Sequence, residues 1–184
     1  MLMPESEARK LDSFWEEICD LPRESQMQMI EKVVSPEDLR RFVSKDSPLG
    51  LIELVAERAG REVIDGLTLY EKGRCYLALK DYQNAEKFLM EALGAGPKEV
   101  RCYLGFVFEG KKDLQMAERQ YLLAIKEGDG WGYVYLSRLL ISQQRDDEAV
   151  RFLRQAINSG EPMSLEVHEL VSAYDALSAI SSGD

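Results

Sequence analysis

The sequence predicts an all-α fold in which helical hairpins stack side by side, with further helices before and after the stack. Three observations predict it. Residues of matching size return at a constant 32-residue spacing: Ala85, Ala92 and Gly96 align with Ala117, Ala124 and Gly128, then with Ala149, Ala156 and Gly160. Within a unit, Gly73 to Tyr76 is a step of three, and Ala85 to Leu89 to Ala92 gives steps of four and three, which places the members on one face of a helix. Strand signals are nearly missing, with no long two-residue alternation and no Asn-Gly hairpin.

Residues 1–65 read as an N-terminal helical region. Leu11, Phe14, Trp15, Ile18 and Cys19 form an apolar stripe at helical spacing. Pro22 starts another helical stretch with Met27, Ile30, Val33 and Val34 on its inner side. SPED at 35–38 is a start signal, with Ser35 as cap, Pro36 in the first turn and Asp38 three residues after the cap. Ser47-Pro48 repeats the device before LGLIELVAERAG, where Gly60 supplies a stop. REVIDGLTLYEKGRCYLALK is expected to run into the first hairpin as one nearly continuous helix.

Three hairpins follow, over 66–97, 98–129 and 130–161. Gly73, Gly105 and Ser137 are small; Tyr76, Phe108 and Leu140 are large; Leu89, Tyr121 and Leu153 are large again, as are Leu93, Ile125 and Ile157. Small side chains suit places where two helices approach closely, and large ones fill the grooves between neighbours. The break inside each unit falls at KDYQ, KKDLQ and QQRDDE, short polar stretches suited to a tight turn. Gly96, Gly128 and Gly160 are expected to close the second helix of each unit in a left-handed conformation, with Pro97 and Pro162 soon after. Residues 162–184 carry Leu165, Leu170, Val171, Tyr174, Leu177 and Ile180 and read as a helix capping the open end of the stack.

Composition sets the broad class. With 45% hydrophobic and 30% charged residues the 184-residue chain reads as a folded, water-soluble protein. A net charge of −10 disfavours nucleic acid and anionic membrane surfaces; its sign suits a basic partner, but a common solvated acidic surface is the better explanation. Cys19, Cys75 and Cys102 are odd in number and widely spaced, so a disulfide framework is not expected. The first residues lack a basic stretch followed by an apolar run, and no window reaches the roughly 20 apolar residues of a membrane span. A cytoplasmic location without membrane insertion is expected.

Catalytic patterns fail one by one. The single histidine, His168, has Ser172 where a zinc-binding helix needs its second imidazole. GAGPKE at 94–99 lacks the spacing and hydroxyl of a phosphate-binding loop. Glu16-Glu17 and Asp146-Asp147 are sequence neighbours and point to different sides of a helix. Cys75 and Cys102 have no histidine near them in the pattern and fit small apolar positions. No enzyme activity, cofactor or metal is expected.

The repeat resembles the tetratricopeptide repeat. With units starting at Gly66, Lys98 and Gly130, the family's small eighth residue falls on Gly73, Gly105 and Ser137, and its large eleventh on Tyr76, Phe108 and Leu140. Its paired alanines are Ala85 with Ala92, Ala117 with Ala124, and Ala149 with Ala156; the late proline is met by Pro97 alone. The period of 32 is shorter than the family's usual value of about 34, which shortens a turn or alters the twist. The resemblance implies a right-handed α–α superhelix across 66–161 whose first helices line a concave groove.

It also implies which positions face a ligand: the second, fifth, ninth and twelfth of each unit. These fall on Leu67, Tyr70, Arg74 and Leu77, on Glu99, Cys102, Phe106 and Glu109, and on Trp131, Val134, Arg138 and Ile141. The lysines and asparagines with which some members clamp a terminal carboxylate are missing at the fifth and ninth positions. An aromatic and aliphatic groove with two arginines suits a protein segment, either an amphipathic helix or an extended apolar peptide, with Arg74 and Arg138 pairing with its carboxylates. The same groove is also wide enough in chemistry for the chain's own Phe14 and Trp15. Two functions fit: an adaptor or scaffold holding a partner's segment, or a dedicated holder of one protein, such as a type III-like secretion chaperone or a toxin-neutralising immunity protein.

Overall fold

A computed structural model describes residues 64–158, together with Pro22, Glu24, Ser25, Gln28, Ile52 and Ala56. The expectations for the N-terminal helices, for Gly160 and for the capping helix lie outside the described residues. Six helices follow in order: α1 Leu69–Ala78, α2 Tyr82–Ala92, α3 Val100–Gly110, α4 Leu114–Lys126, α5 Trp131–Ser142 and α6 Asp146–Asn158. There is no strand among the described residues. The chain divides into two compact units, Met1–Asp81 and Tyr82–Asp184.

In the first unit, α1 does not continue a preceding helix, contrary to the reading of REVIDGLTLYEKGRCYLALK as a nearly unbroken one. Helix gives way at Gly66, and Thr68 restarts it with a capping box. The Thr68 side chain accepts from the Glu71 N–H, and the Glu71 carboxylate accepts from the Thr68 N–H at 2.9 Å. Two otherwise unpaired donors are satisfied reciprocally, which favours a new helix start over continuation. Gly73, Cys75, Leu77 and Ala78 make the buried face of α1.

In the second unit the helices pack in sequence order. α2 lies on α3, α3 on α4, α4 on α5 and α5 on α6, with a lighter contact between α3 and α5. Such paired, all-helical packing is the material of an α–α superhelix. The recurring alanines are what let the axes approach. Ala85, Ala117, Ala124, Ala149 and Ala156 are fully buried, and so are Leu89 and Tyr121 at the matching large positions. At Gly105 the approach is close: a Cβ there would lie within 2.7 Å of three atoms of the Tyr121 ring.

The tight turn inside each hairpin has one geometry three times over. Lys80, Lys112 and Gln144 hold φ of 59°, 64° and 62°. The N–H one residue later bonds back to the carbonyl five residues before it: Asp81 to Tyr76, Asp113 to Phe108, Arg145 to Leu140. The positive-φ residues themselves donate to Leu77, Glu109 and Ile141. These are Schellman closures built without glycine. The left-handed residue ending α2 is Gly94 (φ 90°) rather than the expected Gly96, while Gly128 (φ 83°) ends α4 as expected. Gly96 is small for another reason. Its N–H bonds to the Ala92 carbonyl at 2.7 Å, and a Cβ would meet that oxygen and Val100 at 2.9 Å.

Ion pairs tie each hairpin to the next. Glu86 on α2 pairs with Lys111 at 2.5 Å, and Glu118 on α4 pairs with Arg145 at 2.7 Å. The two glutamates are 32 residues apart, in register with the core, whereas their basic partners Lys111 and Arg145 are 34 apart; Val150 stands at the third glutamate position. Arg145 also grips Glu148 at 2.7 Å, and Arg101 holds Glu127 at 2.9 Å.

Candidate functional site

The first helices of the second and third hairpins, α3 and α5, carry an aromatic cluster. Phe106 on α3 meets Tyr135 on α5 edge to face at 4.6 Å, and Tyr103 meets Phe106 at 5.9 Å. Trp131 stacks on Tyr135 at 5.8 Å and 20°. Tyr121, rising from α4, closes the underside with its ring 6.0 Å from both Phe106 and Tyr135. Such pairs contribute about 0.5–1.5 kcal/mol each beyond the area they bury. The cluster is therefore a stiff platform.

A polar row crosses it. The Arg138 guanidinium lies 5.5 Å from the ring centres of both Phe106 and Tyr135. Its nearest acid is Glu109, at 3.9 Å. The buried Tyr121 hydroxyl donates to that same Glu109 carboxylate. Burial, and then the bond to Glu109, push the Tyr121 hydroxyl far up, so it stays a donor at any physiological pH. Tyr135 is pushed up to about 12, mainly by burial.

Asp129 sets the start of α5. It is buried at 5% exposure, and its carboxylate accepts from the Trp131 N–H at 3.1 Å and from the Cys102 thiol at 3.0 Å. Burial first, then the Asp129 charge, raise the Cys102 pKa strongly. A protonated thiol on α3 thus anchors the carboxylate that positions Trp131 on α5.

Residues 68–99, which span α1 and α2, match the family model described as tetratricopeptide repeat. That match and the six helices fit a tetratricopeptide-like repeat. No curated protein and no solved structure matches the chain. Tetratricopeptide repeats are typically non-catalytic modules that contact other proteins. Among the described residues no group of acids, cysteines and histidines is arranged to hold a metal, and no helix is long and apolar enough to cross a membrane.

Of the twelve residues expected from the sequence to face a ligand, the structure brings some together. Phe106, Glu109 and Arg138 meet directly, and Trp131 joins them through Tyr135. Trp131 is 42% exposed and the Arg138 side chain 61%. Cys102 lies beneath, at 2% exposure. Val134 packs toward Leu153 of α6, Ile141 packs on the core, and Glu99 is half-buried before α3. Leu67, Tyr70, Arg74 and Leu77 belong to the first unit. There Arg74 is 1% exposed, with its guanidinium 5.5 Å from the Tyr70 ring, so it offers no open cation to a ligand of the free chain. Leu77 and Leu67 are buried too.

Sequence reasoning missed Tyr103, Tyr121 and Tyr135 as site components. Tyr103 and Tyr135 are themselves 32 residues apart. Extending the register to every aromatic residue, rather than to the family's ligand positions alone, finds the pair.

Proposed function

We propose that the protein is a non-enzymatic binding module that holds a segment of a partner protein on the α3/α5 face. The observation that carries this is the stack of exposed Trp131 on half-buried Tyr135, with the Arg138 guanidinium beside it, mounted on an aromatic base. Tryptophan, tyrosine and arginine are the side chains that concentrate binding energy at interfaces, because each buries a large area at low entropic cost. The work of such a module is to bring proteins together as an adaptor or scaffold. Nothing in the cluster supplies a nucleophile: the Cys102 thiol is buried and protonated, and the tyrosine hydroxyls are pushed upward.

The test starts from the partner that co-purifies with the protein from its host, identified by mass spectrometry and titrated calorimetrically. Trp131→Ala is expected to weaken that binding at least about tenfold. Helical circular dichroism is expected to stay unchanged, since Trp131 is half-exposed. Unaltered affinity in Trp131→Ala and in Arg138→Ala would remove the interface from this face.

A further inference from the structure

We infer that the fully buried Tyr121 is a positioning residue of the α3/α5 face: through Glu109 it fixes Arg138 over the aromatic platform, and so sets the affinity for a segment it never touches. The inference rests on the reading of this face as the protein-binding surface.

The repeat register comes first. Glu109 and Tyr121 stand 32 residues after Leu77 and Leu89, and 32 before Ile141 and Leu153. Two hairpins place apolar pairs at these positions, and the second alone places a carboxylate and a hydroxyl. Packing does not ask for that exchange, because replacing both members of a buried hydrogen-bonded pair by apolar groups of matching shape is often nearly neutral or stabilising. What the polar pair has beside it is Arg138 of α5.

Geometry comes second. The Tyr121 hydroxyl donates to Glu109 Oε1, and that same oxygen lies 3.9 Å from Arg138 Nη2. At this separation the guanidinium is attracted without being hydrogen-bonded. It makes no hydrogen bond among the described residues, and it lies 5.5 Å from the ring centres of Phe106 and Tyr135. Its N–H donors are therefore unspent, and they fit acceptors that every polypeptide offers, its backbone carbonyls. The Tyr121 ring cannot follow a moving carboxylate, since it is wedged against Gly105, Phe106 and Tyr135. Without its hydroxyl Glu109 is released to close on Arg138 as a direct pair, which draws the guanidinium off the rings and occupies its donors.

Tyr121→Phe keeps the ring and removes the hydroxyl. It should weaken the partner by about two- to fivefold. The loss should vanish once Arg138→Ala is present, a coupling that a double-mutant cycle reads. The combined Glu109→Leu and Tyr121→Leu variant restores the residue types of the neighbouring hairpins. It should keep or raise the urea midpoint and still weaken the partner by a similar factor. A merely structural role would cost the same with or without Arg138.

Two readouts on the full-length protein test this. Calorimetry measures affinity for the partner identified by co-purification, and urea midpoints are followed in parallel. Carbon–proton correlation spectra of the free protein follow the Arg138 side chain, whose resonances the Phe106 and Tyr135 ring currents displace. In Tyr121→Phe those resonances are expected to move toward their positions in the unfolded chain, before any partner is added. Should Tyr121→Phe fail to fold, the leucine variant answers in its place. Arg138 resonances that stay where they are, or a loss of affinity that persists in the Arg138→Ala background, overturn the positioning role and leave the binding function standing. A partner indifferent to both Trp131→Ala and Arg138→Ala removes the interface from this face, and the inference falls with it.

Discussion

Replacing Gly105 by alanine tests the close approach of α3 and α4. In an open helix interior this change stabilises by about 0.5–1 kcal/mol, because alanine loses less backbone freedom. Here the new methyl carbon would sit within 2.7 Å of three atoms of the Tyr121 ring. That ring is fully buried, tethered through its hydroxyl to Glu109 and wedged between Phe106 and Tyr135. It has nowhere to retreat without moving a helix, and such overpacking costs about 1–3 kcal/mol. Three simultaneous overlaps place the cost in the upper part of that range. The net expectation is a loss of about 1–2 kcal/mol, a fall in the urea midpoint of roughly half to one molar. Urea titration followed by circular dichroism measures it. The remedy is written in the neighbouring hairpins, where leucine occupies the Tyr121 position as Leu89 and Leu153. Tyr121→Leu should therefore make Gly105→Ala far less costly, a coupling that a double-mutant cycle reads directly. A neutral or stabilising Gly105→Ala, or strict additivity with Tyr121→Leu, would refute the reasoning.

The remaining expectations concern turns, ions and thiols. Lys112→Gly should stabilise by a few tenths to about 1 kcal/mol, since lysine at positive φ is strained and glycine is not; Gly128→Ala, at φ 83° in open space, should destabilise by about 1 kcal/mol. Thermal or urea midpoints check both. Arg145 holds the Glu148 carboxylate below its ordinary value of 4.5, chiefly through their hydrogen bond. A depressed folded pKa means that this contribution is present above 4.5 and disappears as pH falls through the folded value. Arg145→Ala should accordingly flatten the acid side of the stability profile, less so at high salt; an unchanged profile counts against the clasp. Burial pushes the Cys75 thiol up to about 12 and raises Cys102 further. In a Cys19→Ser background both should resist a thiol reagent near neutral pH and react once urea unfolds the chain; rapid labelling of the native protein would contradict their burial.

The repeat was legible because core packing writes itself into residue size. Alanine, leucine and glycine at fixed intervals report where helices touch, and the three hairpin breaks could be read from polar turns. What escaped was decided by local bonds between particular atoms. Thr68 and Glu71 interrupt an otherwise helical pattern with a reciprocal cap, which a periodicity argument passes over although the T-x-x-E spacing was visible. Lys80, Lys112 and Gln144 adopt the conformation that glycine normally signals, so residue type concealed the turn geometry. Phe106, Glu109 and Arg138, three of the positions expected to face a ligand, do lie against one another. Arg74 did not behave as an exposed cation, because position in a register fixes the face of a helix and not how deeply that face is covered. The tyrosines were missed because one of them, Tyr121, belongs to a different helix from the surface it supports.

Asp129 gives this surface a temporal character. Its two bonds, to the Trp131 backbone and to the Cys102 thiol, are in place in the unliganded chain, and the indole already leans on Tyr135. The freedom that a surface tryptophan ordinarily surrenders upon capture has largely been given up during folding. Recognition should then resemble a key meeting a finished lock, with selectivity expressed in how slowly a fitting segment departs more than in how fast it arrives.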